Sequence, residues 1–145
     1  MNANYDRQRD IIFPDRPKDE CGIFAIYDHE EASKLAYFGL YALQHRGQES
    51  AGIVVSDGKK VKEHKAMGLV PDIFNEEILN DLKGDIALGH VRYSTTGSSV
   101  LLNAQPFRIQ YAGKSLSIAH NGNLVNAKNL RSDLENDGSI FQTTM

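Results

Sequence analysis

Cysteine occurs once in the 145 residues, at position 21, and tryptophan not at all. A single cysteine excludes an internal disulfide framework and any all-cysteine metal site within one chain. It also fits a reducing compartment. No apolar run approaches the roughly 20 residues that a membrane-spanning helix needs. Positive charge is not in excess: the net charge is −3, which gives no electrostatic reason to expect nucleic acid or an anionic membrane as partner. Neither G-x-x-x-x-G-K-[ST] nor G-x-G-x-x-G occurs, so a phosphate cradle is unsupported. His45, His90 and His120 lack the close spacings of a zinc site, and no metal is expected. There is no internal repeat, low-complexity segment or interdomain linker.

What is present reads as at most one ordinary domain, 41% hydrophobic. Residues 1–20 stand apart. They mix Arg7, Arg9, Arg16 and Lys18 with Asp6, Asp10, Asp15, Asp19 and Glu20, and their longest apolar run is Ile11-Ile12-Phe13. That run is too short, and its flanks too acidic, for a secretory signal. The segment reads as a tail or removable pro-segment of a cytoplasmic protein.

From residue 21 strands and helices alternate. Ile23 to Tyr27 is a short apolar, partly β-branched run that predicts a buried strand. Glu31 to Leu43 has helical spacing, with Leu35, Ala36, Leu40 and Leu43 on one face. The polar run 44–50 ends it. Ala51 to Ser56 and Lys59 to Lys65 flank Asp57-Gly58, a favoured two-residue hairpin turn. Pro71 opens a predicted helix over Asp72 to Leu82, with Phe74, Ile78 and Leu82 on one stripe. Ile86 to Val91 predicts a buried strand that delivers His90 and Arg92 at its end. Arg92 to Asn103 is a long Ser/Thr/Gly-rich loop, a length that suggests function. Phe107 to Tyr111 and Ser115 to His120 can pair through Ala112-Gly113. Asn126 is placed to cap a last helix bearing Ala127, Leu130 and Leu134, with Gly138 past its end.

Four polar features fall at strand ends or turns: Cys21, Arg46-Gly47, Arg92 and Asn121-Gly122. Each has an ordinary explanation. A lone cysteine is commonly a small buried hydrophobe, an arginine a surface residue, Asn-Gly a turn dipeptide, and Gly47 a supplier of positive φ. Together they make a coherent acyl-transfer set. A thiol attacks an amide carbonyl, an asparagine side chain and a glycine N–H stabilise the oxyanion, and an arginine holds a carboxylate. The missing general base would be supplied if residues 1–20 were removed. Cys21 would then carry a free α-amine, whose reference pKa is about 7.7–8.0.

The run Cys21-Gly22-Ile23-Phe24-Ala25-Ile26 resembles the start of a class II glutamine amidotransferase domain, in the N-terminal-nucleophile (Ntn) hydrolase superfamily. Leu43 to Ile53, Gly89-His90-Val91-Arg92-Tyr93-Ser94-Thr95 and Ala119-His120-Asn121-Gly122-Asn123-Leu124 resemble the amidophosphoribosyltransferase branch. The fructose-6-phosphate-aminating branch typically has Tyr-Arg-Gly-Tyr-Asp-Ser and Thr-Arg-Trp where this chain has His-Arg-Gly-Gln-Glu-Ser and Val-Arg-Tyr. That branch, or a fragment that only binds a partner, is the alternative.

The resemblance implies an α+β fold, the αββα sandwich of stacked antiparallel sheets, truncated at its C-terminus. It implies a pro-segment over 1–20 and an incomplete amidotransferase domain over 21–145. Cys21 becomes the N-terminal nucleophile, and Asn121 and Gly122 the oxyanion hole. Arg92 holds the α-carboxylate of L-glutamine, Arg46 and Gly47 line the site, and Tyr93 and Thr95 belong to a loop, to Asn103, that closes over substrate. A glutamyl thioester forms, and ammonia passes to a phosphoribosyltransferase domain with a phosphoribosyl pyrophosphate (PRPP) site. That domain is absent here, as is an aspartate expected soon after Met145 to grip the substrate amine. No cofactor is implied for this segment; the missing domain implies Mg2+ and, in some members, an iron–sulfur cluster. A homo-oligomer is implied for the full-length protein, and little or no activity for this segment alone.

Overall fold

The computed structural model describes residues 20–93 and 98–144. Almost all of the expected pro-segment, and Thr95, lie outside the described residues.

A four-stranded antiparallel sheet organises the chain. Its strands are β1 (Gly22–Ile26), β2 (Ser50–Ser56), β3 (Val61–Met67) and β4 (Ile86–Arg92), in the spatial order β1-β4-β2-β3. Central β2 and β4 are rich in β-branched and small residues and are almost wholly buried, which suits strands covered on both faces. Registers Gly22↔Val91 and Ala51↔Val91 put Gly22, Phe24 and Ile26 on the same face as Ala87, Gly89 and Val91, and as Ala51, Ile53 and Val55. Helix α1 (Ala32–Ala42) covers that face, burying Ala32, Ala36 and Leu40. Leu35 is on the predicted stripe but sits at the rim, more than a third exposed. Tyr27 falls outside β1 and is 81% exposed.

Two predicted elements come out differently. The helix expected over 72–82 is two short helices, α2 (Val70–Ile73) and α3 (Glu76–Asp81). Phe74 turns extended, and the Asn75 side chain accepts from Ile78 N–H, starting a new helix. Phe74 and Leu82 still reach the core. The expected two-residue turn at Asp57-Gly58 is a four-residue loop, because Ser56 pairs with Val61. Asp57 Oδ1 accepts from Lys59 and Lys60 N–H and so organises the longer loop.

Beyond β4 a 3-10 turn (Leu101–Asn103) leads to the hairpin β5 (Phe107–Tyr111) and β6 (Lys114–Ile118), then to helix α4 (Ala127–Asn136). Ala112 and Gly113, both at positive φ, form the two-residue hairpin turn. Asn126 precedes α4 but makes no side-chain cap. Antiparallel sheets with packed helices define an α+β fold, as expected. No helix among the described residues is long and apolar enough to cross a membrane.

Candidate active site

The face of the sheet opposite α1 carries the polar residues. Alternation along β4 puts His90 and Arg92 there, and the register puts Ser50 and Gly52 of β2 beside them. Ser50, His90 and Arg92 are polar, and each of these three is 1% exposed or less. Residues 103–106 pass over this face. A Cβ on Gly52 would strike the Gln105 carbonyl oxygen, and Lys65 Nζ donates to Pro106 C=O at 3.1 Å.

Cys21 immediately precedes β1, at the same end of the sheet where β4 finishes. Its Sγ lies 3.3 Å from Tyr93 N and 3.4 Å from Tyr93 O, so the thiol is held by the backbone of the residue just past β4. Its carbonyl oxygen accepts from Asn121 Nδ2 at 2.8 Å and from Arg46 Nε at 3.2 Å. Two of the predicted features, Arg46-Gly47 and Asn121-Gly122, therefore converge on a third, Cys21. Arg46 ends a 3-10 turn (Gln44–Arg46), and Gly47 follows it.

Gly47 corrects one expectation. Its φ is −153°, extended backbone open to any residue, so positive φ is not its reason for being glycine. A Cβ there would lie 2.7 Å from Val91 C and 2.8 Å from Arg92 N. Close approach to β4 demands the glycine, and that approach brings Arg46 beside Cys21. Gly122, by contrast, does sit at φ +102°, a conformation that exposes its backbone readily and that side chains resist.

Arg92 is buried and already has partners. Its Nη1 meets Glu49 Oε2 at 3.1 Å and donates to Ser98 C=O at 3.4 Å. Ser98 is tied down in turn, since its carbonyl also accepts from Asn103 Nδ2 at 2.8 Å, and Asn103 bonds Thr144 through both ends of its amide. Tyr93 touches Cys21 through its backbone, while its side chain is exposed.

In the sequence His90 reads as a strand-end residue and a candidate metal ligand. Here it is fully buried, with Nε2 3.2 Å from His120 C=O. Burial holds its pKa down to about 4, so the ring is neutral at pH 7. No group of three or more potential metal ligands occurs among the described residues. The single cysteine cannot by itself supply the thiolates of an iron–sulfur cluster. Sequence reasoning also passed over Glu49, Asn103 and Gln105. A signal existed for His90, two residues from Arg92 on one strand and so on its face. None existed for Asn103 or Gln105, whose partners Thr144 and His120 lie 41 and 15 residues away.

A thiol at a strand end, in a residue whose carbonyl accepts from an amide and a guanidinium, is an arrangement that can support attack on an amide. A protein-family model described as class-II glutamine amidotransferases matches residues 46–138, and the chain belongs to that family. Among its relatives are the amidophosphoribosyltransferases of Synechococcus elongatus, 53% identical over 92% of this chain, and Bacillus subtilis, 55% identical over 87%. The solved B. subtilis glutamine PRPP amidotransferase, complexed with ADP and GMP, superposes with a TM-score of 0.78 at 50% identity. That match covers 85% of this chain and 26% of the other. The chain spans about a quarter of the length of these relatives.

Proposed function

We propose that this chain is the glutamine-hydrolysing part of an amidophosphoribosyltransferase, with Cys21 as its nucleophile. The observation that carries this reading is the convergence on Cys21 of Tyr93, Asn121 and Arg46 from three separate parts of the chain. The names of the relatives support the acceptor: ammonia from glutamine passes to a phosphoribosyltransferase part acting on PRPP, in the purine pathway.

The chemistry starts with removal of residues 1–20, which turns the Cys21 nitrogen into a free amine. That amine takes the thiol proton, and Sγ attacks the side-chain carbonyl of glutamine. The carbonyl oxygen becomes an oxyanion. A primary amide carries two N–H groups; one on Asn121 is engaged with Cys21 C=O, and we assign the other, with Gly122 N–H, to the oxyanion. The C–N bond breaks as the amine returns the proton to nitrogen, and ammonia leaves a glutamyl thioester. Water attacks that thioester, releasing glutamate and restoring the thiol. Arg92, beside Glu49, is assigned to the substrate α-carboxylate, with Arg46 and Gly47 shaping the wall next to Sγ and Tyr93 and Thr95 contributing the covering loop.

Cys21→Ser in the full-length protein tests this, because a hydroxyl is a far weaker nucleophile at neutral pH. Glutamine hydrolysis is expected to vanish while synthesis from free ammonia survives. Equal loss of both activities would refute the assignment. N-terminal sequencing of the active protein is expected to begin at Cys21.

A further inference from the structure

The segment carrying Asn121 and Gly122 joins β6 to α4 without forming helix or strand, and both residues are exposed. A Cβ on Gly122 would meet nothing within 4 Å. Packing does not hold this backbone, yet oxyanion donors need fixed positions. The residue just before them is held in another way. His120 N–H donates to Gln105 Oε1 at 2.7 Å, and His120 C=O faces His90 Nε2 at 3.2 Å. Both backbone polar groups of one exposed residue are therefore bonded to side chains that are themselves buried, His90 at 0% and Gln105 at 1% exposure.

A carbonyl only accepts, so His90 Nε2 carries the proton. A neutral ring then leaves Nδ1 bare: it has no partner of hydrogen-bond geometry among the described residues, although the Asn121 side chain lies near enough to the ring to favour its charged form. Burying a polar atom unpaired is unfavourable. An apolar residue would fill the same space without that cost, so packing alone does not account for a histidine. The contact made by Nε2 does.

We infer that His90 and Gln105 are positioning residues for glutamine hydrolysis: from the buried polar face of the sheet they clamp the backbone of His120, and so set where Asn121 Nδ2 and Gly122 N–H point. The inference rests on the function proposed above. It also gives β4 a double duty. His90 steers the oxyanion donors, and Arg92, two residues on and on the same face, serves the other end of the substrate.

Three variants of the full-length protein test the clamp, with Cys21→Ser measured alongside. His90→Gln places an amide nitrogen about as far from the backbone as Nε2, whereas His90→Asn stops at the reach of Nδ1. Gln105→Met keeps the volume and removes the acceptor. His90→Asn and Gln105→Met are expected to lower kcat for glutamine hydrolysis by about tenfold to a hundredfold, the scale of a misplaced reacting group. KM for glutamine should hold, since only transition-state contacts are disturbed. His90→Gln is expected to recover most of the rate. Equal, wild-type kcat in His90→Gln and His90→Asn, or a change confined to KM, would overturn the clamp. If His90→Asn fails to fold, Gln105→Met decides by the same kcat criterion. Hydrolysis that survives Cys21→Ser would instead overturn the underlying glutaminase reading. Hydrolysis lost in Cys21→Ser but unchanged in Gln105→Met and His90→Asn would overturn the clamp alone.

Discussion

The two faces of the four-stranded sheet are held by different physics. On the α1 face, contact is a matter of shape. Phe24 lies over Gly39, where a Cβ would overlap its ring, and Leu40 fills the space left by Gly89. Ala32, Ala36, Ile53 and Val55 complete an apolar surface, and the one buried polar side chain of α1, Ser33, donates to Leu79 C=O. On the opposite face, His90, Arg92, Asn103 and Gln105 are as deeply buried, and what joins them to their surroundings is mostly hydrogen bonds. Apolar packing tolerates a near match in volume, whereas a buried polar group must find its partner or lose the full cost of desolvation. The stabilising face is therefore free to be generic. The polar face is specific, and the proposed chemistry lies along it.

The sharpest way to separate the faces is Asn121→Ala in the full-length protein. Loss of an oxyanion donor typically costs about a hundredfold to a thousandfold in turnover. Because Asn121 is exposed, the urea midpoint should not move. A drop in stability with turnover intact would make Asn121 a structural turn residue and blur the distinction.

Leu40→Ala is the mirror experiment. Truncating this fully buried residue should cost about 3 kcal/mol of stability through lost burial and a cavity. At temperatures where the protein stays folded, glutamine turnover per molecule should match wild type. An equal fall in kcat would mean that the α1 face also tunes the site.

Acid should weaken the polar face first. The pKa of His90 is depressed from 6.5 to about 4 in the folded chain, chiefly by burial; the charges of His120 and, less, Arg92 act in the same direction, while its hydrogen bonds to the His120 carbonyl and the Asn121 side chain oppose it. Between those values the unfolded chain binds the proton and the folded chain does not. The stability tied to a neutral His90 is thus complete above about pH 6.5 and falls as the pH drops toward 4. From pH 7 to pH 5 the loss is about 2 kcal/mol by linkage. His90→Gln, which cannot titrate, should lack this part of the pH dependence. Parallel urea-midpoint curves for wild type and His90→Gln would refute the assignment.

The smallest effect belongs to the outer surface of α1. Phe38 is 63% exposed, and Phe38→Ser should change stability by no more than about 0.5 kcal/mol. Thermal unfolding checks this, and a larger loss would show that α1 has more than one working face.

Much of the architecture was readable because it is local. The apolar periodicity of α1, the strand run of β4 and the Ala112-Gly113 turn all depend on residues within a few positions of one another, and each lies where expected. The failures were local competitions as well. Asn75 started a helix that Phe74 had interrupted, and Asp57 bonded two successive N–H groups to lengthen a turn. The candidate site was partly legible too. Cys21, Arg46, Arg92 and Asn121-Gly122 stood out as polar residues at element ends.

By itself, then, the sequence determined the element types, the apolar face of α1 and the residue kinds available for acyl transfer, since these follow from backbone propensity and periodicity. Only the tertiary structure decided that Asn121 reaches the carbonyl of Cys21, 100 residues away. The same holds for the fit of Gly47 against β4, the pairing of Arg92 with Glu49, and the two buried side chains that bond His120. These contacts need two distant backbones brought together to within about 3 Å, the reach of a hydrogen bond. Strand register sets that distance, and no local run of residues encodes it.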